Sequence, residues 1–264
     1  MGETNKIVIL LPVLNEIENI GPLLERIRIQ LSERNYVVCV VDDGSRDGTA
    51  EFLRAELARG DGHLHLIERT KSGRGSQRGG ALFAAMKWGL RDDDMAVFVE
   101  MDGDLSHRPE ELPLGLSKIE NGRADVAIAS KYLPGSKVTN RPMGRLIVSR
   151  ICNWLVRGVI TSRITDYSNG YRFYTRRAAE LVAASKIRYG SPIYLTEVMA
   201  IWIAHDVTIA EFPSHYVGRN EGLSKLRFID LVKASVGILE VATRLHLNKL
   251  KIEDSLQAEP ATAK

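Results

Sequence analysis

The sequence predicts an α/β fold, a doubly wound and mostly parallel sheet with a Rossmann-like nucleotide-binding half first and amphipathic helices toward the C-terminus. Three observations predict it. Ile7 to Leu11 and Val37 to Val41 are continuous apolar runs rich in β-branched residues, as strands buried on both faces require. Between them Leu23, Leu24, Ile27 and Leu31 recur at helical spacing, which makes a βαβ unit and so a parallel pair. Carboxylates then follow three of the apolar runs, at the sheet edge where open α/β folds bind ligands.

The alternation continues along the chain. A helix is expected near Thr49 to Arg59, a strand near Leu64 to Glu68, a helix from Gly79 to Leu90 and a strand beginning at Ala96. Pro109-Glu110-Glu111 reads as a helix start, because proline costs nothing in a first turn, and Asp125 to Ser130 reads as the next strand. Beyond residue 130 the pattern changes. Met143 to Ile160 and Leu226 to Leu247 read as amphipathic helices. Between them are expected a strand near Tyr171 to Tyr174, helices near Arg176 and Thr196, and a strand near Val207 to Phe212. The tail from Lys251 is polar, Ala-rich and expected to fray.

Composition narrows the class. A net charge of +3 over 264 residues is too small to argue for nucleic acid without a concentrated patch and stacking aromatics. The basic excess is local, since Lys131 to Arg163 holds seven Lys or Arg and no Asp or Glu. Cys39 and Cys152 give neither a disulfide framework nor zinc-ligand spacing, which suits a reducing cytosolic setting. The N-terminus lacks a signal-peptide pattern, and no apolar run is long enough to span a bilayer. The chain is expected to be soluble or to lie on a membrane surface.

The chemistry-bearing residues follow the strands. Pro12-Val13-Leu14-Asn15-Glu16 follows the first, Asp42-Asp43-Gly44-Ser45 the second, and Asp102-Gly103-Asp104 the fourth. Asp-x-Asp alone is a weak pattern, equally a pair of solvated turn residues. Three acidic strand ends on one edge, however, repel one another unless a metal or a hydrogen-bonding ligand compensates them. Asp102 and Asp104 are the candidate metal ligands. Gly73-Arg74-Gly75 with Gly79 fits neither a dinucleotide nor a Walker loop, and reads as a loop able to cover phosphates. His107, His205 and His215 lack metal-ligand spacing and read as structural.

These motifs resemble the GT-A glycosyltransferases of family 2. The matching elements are Pro12 to Glu16, Val41 to Ser45 with Asp47-Gly48-Thr49, Arg78-Gly79-Gly80-Ala81-Leu82, and Met101 to Asp104. The resemblance implies an inverting transfer from a nucleotide diphosphate sugar, with Pro12, Leu14, Asn15, Glu16, Val41, Asp43, Arg78, Asp102 and Gly103 toward the donor. Asp102 and Asp104 would then handle a divalent metal, Mg²⁺ or Mn²⁺, and the diphosphate. It extends toward polyprenyl-phosphate (dolichyl-phosphate) mannosyltransferases through Asp102 to Pro109, Ala129-Ser130-Lys131-Tyr132 and Asp166 to Arg172. Arg145-x-x-x-Ser149 and Arg219-x-x-Gly222-x-Ser224-Lys225 also fit. Leu14 stands where that family usually has an aromatic, Gln77 replaces a glycine, Ser106 replaces a glutamine, and Lys131 replaces an arginine. The resemblance implies a catalytic domain over 5–230, divided into a donor half over 5–130 and an acceptor half over 131–230, then a helix over 226–250 and a tail over 251–264.

Two acceptors remain open, and their chemistry differs. A lipid phosphate is already an anion and needs cations to hold it, for which Lys131, Arg145, Ser149, Arg219 and Lys225 are candidates, Arg145 and Arg219 with a catalytic part. A saccharide hydroxyl needs a general base, for which Glu197 is the candidate. The expected donor is GDP-mannose or a UDP-hexose. The helix from Met143 places Leu146, Ile147, Ile151, Trp154, Leu155 and Val159 among arginines. It reads either as core-packed or as lying in lipid headgroups at the cytosolic face, where a membrane subunit is a further possible partner.

Overall fold

The computed structural model describes residues 6–60, 62–69, 78–218 and 228–250. Nine strands and eight α-helices occur among them: β1 (Lys6–Val13), α1 (Ile17–Gln30), β2 (Tyr36–Asp42), α2 (Thr49–Ala58), β3 (Leu64–Glu68), α3 (Arg78–Gly89), β4 (Met95–Glu100), α4 (Leu112–Glu120), β5 (Val126–Ser130), β6 (Lys137–Thr139), α5 (Met143–Val159), β7 (Arg172–Thr175), α6 (Arg176–Ala184), α7 (Tyr194–Ala204), β8 (Ile209–Pro213), β9 (His215–Val217) and α8 (Phe228–His246). A short 3₁₀ turn, Pro109–Glu111, leads into α4.

Seven strands form one sheet in the order β3-β2-β1-β4-β7-β5-β8. All neighbours are parallel except β7, which runs antiparallel between β4 and β5. The sheet is therefore mostly parallel, as expected, and its two halves are continuous through β7. Successive β1 residues alternate between two cores. Val8 and Leu10 pack with Ala81, Leu82, Ala85 and Met86 of α3 and with residues of α6 and α7. Ile7, Ile9 and Leu11 pack with Ile20, Leu23 and Ile27 of α1 and with α4. Burial on both faces is why these strands read as unbroken apolar runs.

β6 and β9 pair in a separate two-stranded ribbon that the sequence did not predict. Three residues are too few to show an alternation. The ribbon still matters, because it carries Tyr216 to the site described below. The chain order reverses between β1 and β4, so the crevice beyond their C-terminal ends is the topological switch point of the sheet.

Candidate active site

Two strand-end loops are tied together at that crevice. Asp42 Oδ1 accepts the Gly44 and Ser45 N–H groups, both at 2.7 Å, and so shapes the turn after β2. The same turn serves the start of α1: Ser45 Oγ accepts Asn15 N–H (2.9 Å), Thr49 Oγ1 accepts Glu16 N–H (2.9 Å) and Asp47 Oδ2 accepts Ile17 N–H (3.0 Å). Asn15 Oδ1 accepts Arg46 N–H in return, at 2.8 Å. Side chains thus satisfy N–H groups that the first turn of a helix leaves without partners. Burial opposes the charge on Asp47, but its hydrogen bonds from Thr49 and Ile17 outweigh this and hold its pKa below the usual carboxylate range.

Beside this junction a cavity of about 640 Å³ is lined by Leu14, Asn15, Asp43, Arg46, Arg54 and Arg69, among others. Asp43 lies at the C-terminal end of β2 with Arg69 Nε 3.6 Å from its Oδ1. Arg69, directly after β3, was not anticipated. Its position just past an apolar run was the available signal. Val41 belongs to the sheet core and is fully buried, so its side chain does not face this cavity. Of the donor-site candidates it is the one that the structure moves into a packing role.

Beyond β4, Gly103 lets the Asp102–Asp104 loop approach β1. A Cβ there would lie 2.8 Å from Val13 Cγ1, closer than real contacts allow. The Asp102 N–H donates to His107 Nδ1 at 3.0 Å, which assigns the ring proton to Nε2, 3.0 Å from Asn169 Oδ1. Burial holds the His107 pKa below its ordinary value, against the pull of Asp102 and Asp104. His107 therefore braces the acidic loop against the 166–170 segment, in keeping with a structural histidine. Asp104 Oδ1 accepts the Ser106 N–H at 3.0 Å.

A second cavity, about 200 Å³, opens beside Asp102 and is lined by Arg78, His107, Lys131, Arg141, Tyr194 and Tyr216, among others. Arg78 Nε donates to Asp102 Oδ1 at 2.6 Å, and Arg78 Nη2 donates to the Gly170 carbonyl at 3.3 Å. Gly170 leaves room for this approach, since a Cβ there would meet Arg78 Nη2 at 2.4 Å and push the guanidinium aside. Burial pulls the Arg78 pKa down, but Asp102 and Glu100 outweigh it and hold it above the usual arginine value. Lys131 Nζ and the Arg141 guanidinium each lie over the Tyr216 ring, 5.2 and 5.4 Å from its centroid. Arg141 went unselected in the sequence, although it lies in the basic segment.

The remaining candidates fall elsewhere. Ser149, on α5, has its Oγ 3.0 Å from the Tyr132 hydroxyl. Arg145 is on α5 and its side chain lies outside what is described, as do Arg219 and Lys225 and the Gly73–Gly75 loop. Glu197 is fully buried. Its Oε2 accepts the Arg188 and Tyr189 N–H groups (3.0 and 3.1 Å), and its Oε1 accepts Arg244 Nη1 at 2.5 Å. Oε1 fastens α7 to α8 and Oε2 fastens it to the 188–189 segment, so both oxygens of the candidate general base are already engaged in structural contacts.

The donor set suits one kind of metal. Two carboxylates on one loop fit Mg²⁺ or Mn²⁺ completed by diphosphate oxygens and water, because such ions bind through one or two carboxylates plus substrate phosphates. Among the described residues no group of three or more His, Cys, Asp or Glu is placed to hold a metal by itself.

The chain is similar to several known proteins. The model of "Glycosyl transferase family 2" matches residues 8–182. A polyprenol monophosphomannose synthase from Mycolicibacterium smegmatis is 34% identical over 252 residues, covering 94% of this chain and 91% of that protein. An undecaprenyl-phosphate mannosyltransferase from Micrococcus luteus is 36% identical over 225 residues, covering 84% of this chain and 87% of its own. A dolichol-phosphate mannosyltransferase from Pyrococcus furiosus is 32% identical, covering 84% of this chain and 59% of its own. Glucosyl-3-phosphoglycerate synthase from Mycobacterium tuberculosis, solved with Mg²⁺ and UDP, superposes with a TM-score of 0.64 at 17% identity, covering 90% of this chain and 80% of its own. A second structure of that synthase, with Mn²⁺, UDP-glucose and phosphoglyceric acid, gives a TM-score of 0.61 with the same coverage. The chain belongs to glycosyl transferase family 2, an enzyme family, and its fold is the GT-A fold.

Proposed function

We propose that this protein transfers a hexose, mannose in the reading preferred here, from a nucleotide diphosphate sugar to a polyprenyl phosphate, with inversion at the anomeric carbon. The observation that carries the proposal is the smaller cavity, where Arg78 and Asp102 share one small space with Lys131 and Arg141. A donor diphosphate and an acceptor phosphate need that juxtaposition. Glu16 and Asp43 would meet the nucleoside, while Lys131 and Arg141 neutralise the acceptor and aim one phosphate oxygen at the anomeric carbon. A carbon–oxygen bond to the acceptor forms as the bond to the leaving diphosphate breaks. The nucleophile is already an anion, so no general base is required. That agrees with the commitment of both Glu197 oxygens. Asp102 and Asp104 would hold Mg²⁺ or Mn²⁺, whose charge offsets that developing on the leaving diphosphate. The relatives named for polyprenyl-phosphate mannosyl transfer support both sugar and acceptor.

The exposed face of α5 supports work at a membrane surface. Met143 and Trp154 are each 71% exposed, and Ile147 and Ile151 continue the same face. Val236 and Leu239 of α8 are also exposed, and α8 packs against α5. No helix among the described residues is long and apolar enough to cross a membrane. An apolar, Trp-bearing face beside basic residues suits the headgroup region, and the cytosolic leaflet is the surface proposed for it. The test is incubation with labelled GDP-mannose or UDP-glucose, Mg²⁺ and polyprenyl phosphate. Label should become extractable into organic solvent; donor consumed with all label left in water would overturn the proposal.

A further inference from the structure

Glu100, the last residue of β4, is a carboxylate in an unusual place. It is fully buried directly beneath the acidic loop. The hydroxyls of Tyr194 and Tyr174 both donate to its Oε1, at 2.9 and 3.2 Å. Two donors on one oxygen stop the group from turning, so Oε2 has a fixed direction. Among the described residues Oε2 has no hydrogen-bond partner. Burying a carboxylate oxygen in this way is costly unless a cation is near. Among the described residues the cation that forms an ion pair with it is Arg78, whose Nη1 lies 3.9 Å from Oε2, just beyond hydrogen-bond reach, and the buried Arg172 guanidinium also feels its charge.

Arg78 meanwhile spends its shortest bond on Asp102, a proposed metal ligand. A divalent cation and Arg78 are rivals for that carboxylate. A cation that takes Asp102 through Oδ1 displaces the half-buried Arg78 guanidinium from that oxygen, and the displaced charge needs another anion close by. We propose that Glu100 is a positioning residue that receives Arg78 when metal and diphosphate claim Asp102. A shift of about 1 Å brings Arg78 Nη1 within bonding distance of Glu100 Oε2. The guanidinium stays paired throughout, and it remains on the cavity wall facing the diphosphate.

This inference rests on the proposed metal site, and Mn²⁺ binding without turnover separates the two. Electron paramagnetic resonance of free Mn²⁺ would be followed during titration of wild type, Glu100→Gln, Arg78→Gln and the double variant, each with saturating GDP or UDP. Glu100→Gln should weaken Mn²⁺ binding about tenfold, the scale of one charged hydrogen bond. Arg78→Gln also removes a cation facing the diphosphate, so its own effect is not read; in that background Glu100→Gln should have no further effect on Mn²⁺ binding. A general loss of packing would weaken both backgrounds alike. Equal binding by wild type and Glu100→Gln, or equal weakening in both backgrounds, overturns the proposal. If Glu100→Gln does not fold, Glu100→Asp, which withdraws the carboxylate from Arg78, should weaken Mn²⁺ binding in its place, and unchanged binding by it overturns the proposal. Wild type failing to bind Mn²⁺ with either nucleotide would remove the metal site itself.

Discussion

Lys131 Nζ lies 3.5 Å from Asp166 Oδ2, and both side chains are shut away from solvent. Burial opposes the charge on Asp166, but Lys131 and the donors of Lys131 and Ser168 outweigh it and hold its pKa below the usual carboxylate range. Burial also lowers the Lys131 pKa, and the attraction of Asp166 only partly offsets it. The pair fixes one cation at the cavity wall and makes it sensitive to alkali.

The first prediction concerns that sensitivity. The positive charge on Lys131 is lost as pH rises through a pKa below the ordinary lysine value, so kcat/KM should fall on the alkaline side earlier than an exposed lysine would give. Lys131→Arg keeps its charge and should move that limb upward. Overlapping pH–rate profiles for the two proteins would contradict this. For Asp166 the sign is the opposite. Its folded pKa is depressed, so its stabilisation is complete above the unfolded carboxylate pKa and is lost as pH falls through the folded one. Asp166→Asn, which strands a buried lysine, should cost about 3–5 kcal/mol in urea unfolding near pH 7.

Glu197→Gln separates fastening from catalysis. Losing the buried pair with Arg244 should lower stability by about 3 kcal/mol. Turnover per folded molecule should stay within about threefold of wild type, whereas loss of a general base costs about 10²–10⁴. Thermal unfolding and active-site-normalised kcat measured on one preparation decide between them.

For the membrane face, Ile147→Asp and Trp154→Ala change exposed positions, so stability should move by no more than about 0.5 kcal/mol. Sedimentation with anionic phospholipid vesicles should fall about tenfold for the pair together, as expected when the apolar anchor of an interfacial helix is removed. Unchanged partitioning would show that α5 faces something other than lipid.

The sequence made β1, α1 and β2 legible because strands covered on both faces must be apolar throughout, and Glu16, Asp43, Asp102 and Asp104 followed as the residues just past such strands. Local chemistry was readable where one segment decides it. Pairings between distant segments were not. Glu197 looks like a base until Arg244, 47 residues later, is seen to bind it. Arg78 enters the sequence reading only as a donor-side residue, and only the folded chain sets it between Asp102 and Glu100. Arg69 and Arg141 were hidden because an arginine in a loop carries no period. The ribbon of β6 and β9 was too short to announce itself.

The most direct measurement offers the purified protein two lipids that differ only in the acceptor group, a polyprenyl phosphate and the free polyprenol, with labelled donor and Mg²⁺. Cations at Lys131 and Arg141, with both oxygens of Glu197 engaged, predict transfer to the phosphate and none to the alcohol. Comparable transfer to the polyprenol, or to a saccharide hydroxyl in place of the phosphate, would contradict it.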